Sequence, residues 1–150
     1  TYAANWGEEF ENFTFAEELD FVGLNFYYPL SGKKNASERD LKKGLEKALE
    51  KVREKASEIN RPVVLTEIGF RSIAHPWIQP HAEAEDRIKV ERDQAMCYEV
   101  ILDGLRGESW CKGTFWWKWP SQMEYAYQNP TSFTPCGKEA AEVLKKYYQL

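Results

Sequence analysis

Cysteine, histidine and glycine are all sparse in this chain, and each shortage removes a class of function. Its 150 residues include three Cys, two His and nine Gly. Cys97, Cys111 and Cys136 are odd in number and widely spaced, which gives neither a disulfide framework nor a metal-ligand spacing; they read as buried free thiols. His75 and His81 are separated by Pro76 and Pro80 and have no third ligand nearby, so no metal is expected. The glycines make no phosphate-binding loop: Gly69 stands outside any GxGxxG pattern, which leaves a dinucleotide or flavodoxin-type fold unsupported and no cofactor expected. Positive charge is short too. The net charge of −4 gives no electrostatic footprint for nucleic acid. No apolar run reaches membrane-spanning length, so no membrane partner is expected, and the first residues do not read as a signal peptide.

What the chain does have is a globular composition, with 43% hydrophobic and 29% charged residues. Aromatic residues reach 15%, and many fall near predicted strand ends rather than on helix faces. There they either fill core or offer flat apolar faces of the kind that suit sugar rings. The length suits one domain but falls short of a complete (β/α)8 barrel, which takes roughly 200 residues or more.

The pattern alternates strand and helix. Residues 1–6 read as a strand end carrying Asn5 and Trp6, and Thr14-Phe15-Ala16-Glu17 as a capping box opening one helical turn. Residues 19–29 read as a strand with Gly23, Asn25 and Tyr27 on one face. Ser37 should cap a helix whose apolar stripe is Leu41, Leu45, Ala48, Leu49, Val52, Ala56 and Ile59. Val63, Val64 and Leu65 then form a short buried run that ends at Thr66-Glu67, with Gly69 close behind. Residues 71–82 are a long connection with two Pro, two His and Trp77. A helix is predicted over 83–106, with Ile88, Ala95, Tyr98, Ile101, Leu102 and Leu105 inward and Gly107 ending it. Residues 112–120 form the fourth strand, with three Trp in four positions that cannot all face core; a loop over 121–134 follows. The last helix, starting near Gly137, should bury Ala140, Ala141, Leu144, Tyr147 and Tyr148. Such alternation means a parallel sheet with right-handed crossovers, whose chemistry is placed at the C-terminal strand ends. Glu67 sits at such an end. By itself it reads equally as a strand-end carboxylate paired with a neighbour and as a reacting group.

Four segments together carry a resemblance: Leu19 to Leu30, Val64-Leu65-Thr66-Glu67-Ile68-Gly69-Phe70, Gly113-Thr114-Phe115-Trp116-Trp117-Lys118-Trp119, and Gly137-Lys138. They resemble the C-terminal half of a clan A retaining glycoside hydrolase, and most closely the family 113 β-mannanase group. The resemblance implies an α/β fold that is half of a (β/α)8 TIM barrel, with residues 1–150 supplying strands five to eight. It implies Glu67 as nucleophile, Tyr27 as the hydroxyl that supports it, and Trp117, or less favourably Trp119, under the sugar. Asn5, Trp6 and Asn25 would line the cleft, and Trp77, with His75 and His81, its outer part.

A retaining glycosidase needs a second carboxyl group as acid/base, and in this clan it stands at the end of strand four. Asp20 precedes its strand and Glu124 lies after strand eight, so neither substitutes. The expected partners are a polysaccharide or oligosaccharide substrate and a complementary half-barrel, or a second copy of the chain. The competing expectation is a non-catalytic carbohydrate-binding or self-associating half-barrel.

Overall fold

A computed structural model describes residues 1–83 and 88–149. Four strands, β1 (Tyr2–Asn5), β2 (Val22–Asn25), β3 (Val63–Ile68) and β4 (Cys111–Trp116), lie side by side in chain order and all run parallel. The helices are α1 (Glu8–Asn12), α2 (Glu38–Ile59), α3 (Glu91–Leu105), α4 (Glu124–Gln128) and α5 (Glu139–Tyr148). Strand order equal to sequence order, with helices as the crossovers, is the build of a partial (β/α) barrel.

Alternation along the strands gives the sheet its two faces. Ala4, Val22, Leu24, Val63 and Leu65 are fully buried and join one core with Leu41, Leu45, Leu49 and Val52 of α2 and Tyr98 and Ile101 of α3. Each of those Leu side chains contributes roughly 1.5–3 kcal/mol through burial. Gly23 belongs to the other face, where a Cβ would come within 2.8 Å of the Thr66 methyl and 3.0 Å of Ala3 Cα, closer than a side chain allows. Phe115 lies between Thr114 and Trp116, which contact Tyr148 and Tyr98 on the helix side, and is 67% exposed. In a closed barrel such a residue fills the interior.

The Ser37 cap of α2 is a full capping box: the Ser37 hydroxyl accepts from the Asp40 amide while the Asp40 carboxylate accepts from the Ser37 amide. Other expectations need correcting. The helix predicted from residue 83 begins at Glu91, and residues 84–87 lie outside the described residues. Ile88 is exposed rather than inward, because the segment before α3 is extended: Lys89 bridges to Ile73 and the Val90 amide donates to the Ser72 carbonyl. Around Thr14 there is only a 3-10 turn, Ala16–Glu18, without a side-chain cap. Cys111 is half-buried, unlike Cys97 and Cys136, and all three thiols are free. Tyr148 is exposed, its hydroxyl meeting Thr114 Oγ1 at 3.0 Å and accepting from Trp116 Nε1 at 3.2 Å.

Candidate active site

The C-terminal ends of β1, β2 and β3 converge on Glu67. The Phe26 amide donates to the Glu67 carbonyl at 2.7 Å and the Trp6 amide to the Asn25 carbonyl at 3.2 Å, so backbone bonds continue past the strands. The pairing of β2 with β3 shifts register between Leu24 and Asn25, which leaves Asn25 opposite Glu67. Strict alternation would turn Glu67 to the same side as buried Leu65. The irregularity instead lets the adjacent Thr66 and Glu67 both reach residues of the inner face.

Tyr27 donates its hydroxyl to Glu67 Oε2 at 3.2 Å. Burial first, then the Glu67 charge and that hydrogen bond, hold the phenol well above its ordinary range, and Glu83 adds to the effect. Tyr27 therefore stays a donor at any working pH. Beside this pair runs a chain of polar groups with one direction. Thr66 Oγ1 donates to Asn25 Oδ1 at 2.9 Å, Asn25 Nδ2 to Asn5 Oδ1 at 3.3 Å, and Asn5 Nδ2 to Glu9 Oε2 at 2.8 Å. Glu9 Oε1 also accepts from the Tyr2 hydroxyl at 2.6 Å. These bonds, Tyr2's above all, hold the Glu9 carboxyl below its usual range.

An aromatic wall borders the cluster. Trp6 meets Tyr27 edge-on with ring centroids 5.5 Å apart, and the His81 ring lies 5.0 Å from Trp6. Across the sheet, Trp117 follows β4 and is 39% exposed, with Trp119 at 55%. The Trp117 amide donates to the Ile68 carbonyl at 2.8 Å, and the Trp117–Lys118 peptide is cis. Gly69 makes this approach possible: a Cβ there would sit 2.1 Å from the Trp117 carbonyl oxygen.

Glu67, Tyr27, Asn25, Asn5 and Trp6 are thus brought into one cluster, with Trp117 and Trp119 open to solvent after β4. Trp77 is a correction. It is 2% exposed and donates Nε1–H to the Lys33 carbonyl at 2.8 Å, which pins the 71–82 loop and leaves no ring face for a sugar. Sequence reasoning missed Thr66 and Glu9. Thr66 was signalled by its place beside Glu67, whereas Glu9 lies on a short helix that no capping pattern announced. Among the described residues no group of three or more metal-ligating side chains occurs.

Carboxylate, hydroxyl and indole groups thus stand together at the C-terminal ends of parallel strands. The profile of Glycoside Hydrolase Family 113 matches residues 1–138, and the chain belongs to that family. No curated protein matches. Among solved structures, a family 113 β-1,4-mannanase is 21% identical with a TM-score of 0.80, covering 99% of this chain and 44% of its own. A family 113 β-mannanase from Alicyclobacillus acidocaldarius is 22% identical with a TM-score of 0.79 and the same coverages. A family 2 β-galacturonidase from Eisenbergiella tayi, bound to galacturonate, is 16% identical with a TM-score of 0.59, covering 98% of this chain and 26% of its own. The present chain therefore spans less than half the length of the family 113 structures it matches. At these identities the likeness speaks to the fold alone: the four strands correspond to part of a TIM barrel.

Proposed function

We propose that this chain is the nucleophile-bearing half of a retaining glycosidase that cleaves β-1,4-linked polysaccharide, with β-mannan as substrate. The observation that carries the reading is the Tyr27 hydroxyl on Glu67 Oε2 at adjacent C-terminal strand ends, in a chain of family 113. Double displacement asks for an ionised carboxylate to attack the anomeric carbon and for an acid to protonate the leaving oxygen. A phenol that stays protonated aims Glu67 and favours its charged form. Trp117 supplies an open indole face on which a sugar can stack. Asn25 and Asn5 present amides already oriented by their neighbours. Mannan rests on family membership and on the names of the similar structures.

The acid/base group comes from outside these four strands. Glu9, the other carboxylate bound into the network, is shifted downward, and a proton donor needs the opposite shift. Among the described residues β1 and β4 each pair on one side only, and Phe115 stands exposed on the inner face. A complementary half-barrel fits that surface and would carry the second carboxyl. Glu67→Gln in the full-length protein should abolish turnover of β-mannan while saccharide binding persists; near-native turnover would end the proposal. The solution size of the 150-residue chain tests the partner: a monodisperse, well-folded monomer would count against it.

A further inference from the structure

Gly137-Lys138 precedes α5, far from Glu67 in sequence and unused by the mechanism above. Lys138 is 6% exposed. Its Nζ donates to Ser72 Oγ at 2.8 Å and to the Ser132 carbonyl at 3.1 Å, and no carboxylate among the described residues lies within ion-pair distance of it. An ammonium buried on neutral acceptors is costly. Each acceptor has a further partner. The Ser132 carbonyl also accepts from the Ser72 amide at 3.2 Å, and the Ser72 hydroxyl gives its proton to the Pro130 carbonyl at 2.7 Å. A charged side chain is thus an expensive way to join these loops.

The amine joins the loops that leave the two cleft strands. Residues 70–72 follow β3 and residues 130–133 follow α4, after β4. Gln94 on α3 ties the same pair from the other side, donating Nε2–H to the Phe70 carbonyl at 2.8 Å and to the Phe133 carbonyl at 3.0 Å. The Phe133 ring comes within 3.3 Å of the point where a Gly69 side chain would start, and the Trp117 carbonyl oxygen crowds that point as well. A continuous packed path thus leads from Lys138 through Ser132 and Phe133 to Gly69, two residues past Glu67, and to Trp117.

We propose that Lys138 is a positioning residue of the cleft: its ammonium reinforces the link of Ser72 to Ser132, holds Phe133 against Gly69, where the Trp117 carbonyl also packs, and so sets the spacing between Glu67 and the Trp117 ring. The inference rests on the proposed role of Glu67. Burial lowers the Lys138 amine to about 8, and the charges that act on it from the surrounding elements are Glu91 and Lys89 at the entry to α3, Arg71 after β3, and Cys136 before α5.

The test is Lys138→Met in the full-length protein, read by melting temperature, by kcat and KM on a manno-oligosaccharide, and by amide exchange. The expected result is an unchanged or raised melting temperature, KM within about twofold, and kcat lower by about 10- to 100-fold, the range a displacement near 1 Å produces. Exchange at the Ser72 and Trp117 amides should quicken while the β2 amides stay as they were. Unchanged kcat in a folded variant overturns the proposal, and so does unchanged exchange at both amides, whatever Glu67→Gln does. Should Lys138→Met fail to fold, Ser72→Ala removes one of the two acceptors of the ammonium, together with the hydroxyl's own bond to the Pro130 carbonyl; it is expected to show the same split in smaller measure, and wild-type kcat there overturns the clamp. A fully active Glu67→Gln would instead dismiss the nucleophile and leave the exchange result standing.

Discussion

Lys138 makes stability depend on pH in an unusual direction. Its amine is lowered to about 8 in the folded chain, chiefly by burial, against 10.5 for an ordinary lysine. Below pH 8 both the folded and unfolded states carry the proton, and the full cost of burying the charge is present. Between about pH 8 and 10.5 the folded state gives up its proton first. The unfolded state then binds more protons, so this group makes the fold more stable as pH rises. A lowering of this size corresponds to about 3 kcal/mol, most of it gained by pH 10. Wild type alone does not isolate the contribution of this one group. Lys138→Met does, because every other group is common to both proteins.

Urea unfolding at intervals from pH 7 to pH 10, extrapolated to water, gives the stability of each protein. The variant should be at least as stable as wild type at pH 7. Relative to the variant, wild type should then gain about 2–3 kcal/mol by pH 10. A difference that stays flat across the interval would show that the amine keeps an ordinary affinity for its proton and that its burial carries no cost.

Two substitutions test the rest of the cluster. Tyr27→Phe removes one hydrogen bond to a carboxylate, so kcat on mannan should fall by a factor set by roughly 1.5–3 kcal/mol, about 10- to 150-fold, and stability by no more than that amount; steady-state kinetics beside a thermal melt checks both halves. Gly69→Ala places a methyl 2.1 Å from a backbone oxygen that cannot swing away, and should cost about 3 kcal/mol or more in urea unfolding, with loss of saccharide binding at Trp117.

The parallel order, the α2 stripe and the convergence of Glu67 with Tyr27 were legible because each rests on short-range pattern: period two, period three-to-four, and a resemblance carried by strand ends. The stripe residues Leu41, Leu45, Ala48, Leu49, Val52 and Ala56 are all buried. What escaped has a tertiary cause. The start of α3 is set by an extended segment clipped to Ser72 and Ile73, contacts that no propensity along 83–90 announces. Trp77 has the composition of a cleft aromatic, and only the Lys33 carbonyl 44 residues earlier decides that it is buried. The short helix α1 has Gly7 at its N-cap and no side-chain cap, so no signal marked it, and Glu9 was lost with it.

The irregularity between β2 and β3 decides what Glu67 can do. A β3 paired in strict register would present Val64 and Thr66 to the inner face and turn Glu67 toward the helices with Leu65. A carboxylate there would face an apolar layer with no partner, at a cost of several kcal/mol. The register shift at Asn25 avoids that cost and produces the site in one step: Thr66 stays on the inner face to bond Asn25, and Glu67 turns to Tyr27. Gly23 is what lets β2 lie close enough for both, since a Cβ would strike the Thr66 methyl. Gly69 then does the same for β4 by admitting the Trp117 carbonyl. The two glycines flank the carboxylate in space, one on each neighbouring strand contact. Gly23→Ala should therefore disturb the Tyr27–Glu67 pair and Gly69→Ala the approach of Trp117, separable as a loss of kcat in the first and of saccharide affinity in the second. If both variants lost kcat and affinity in equal proportion, the strand contacts would not be acting independently on the two sides of Glu67.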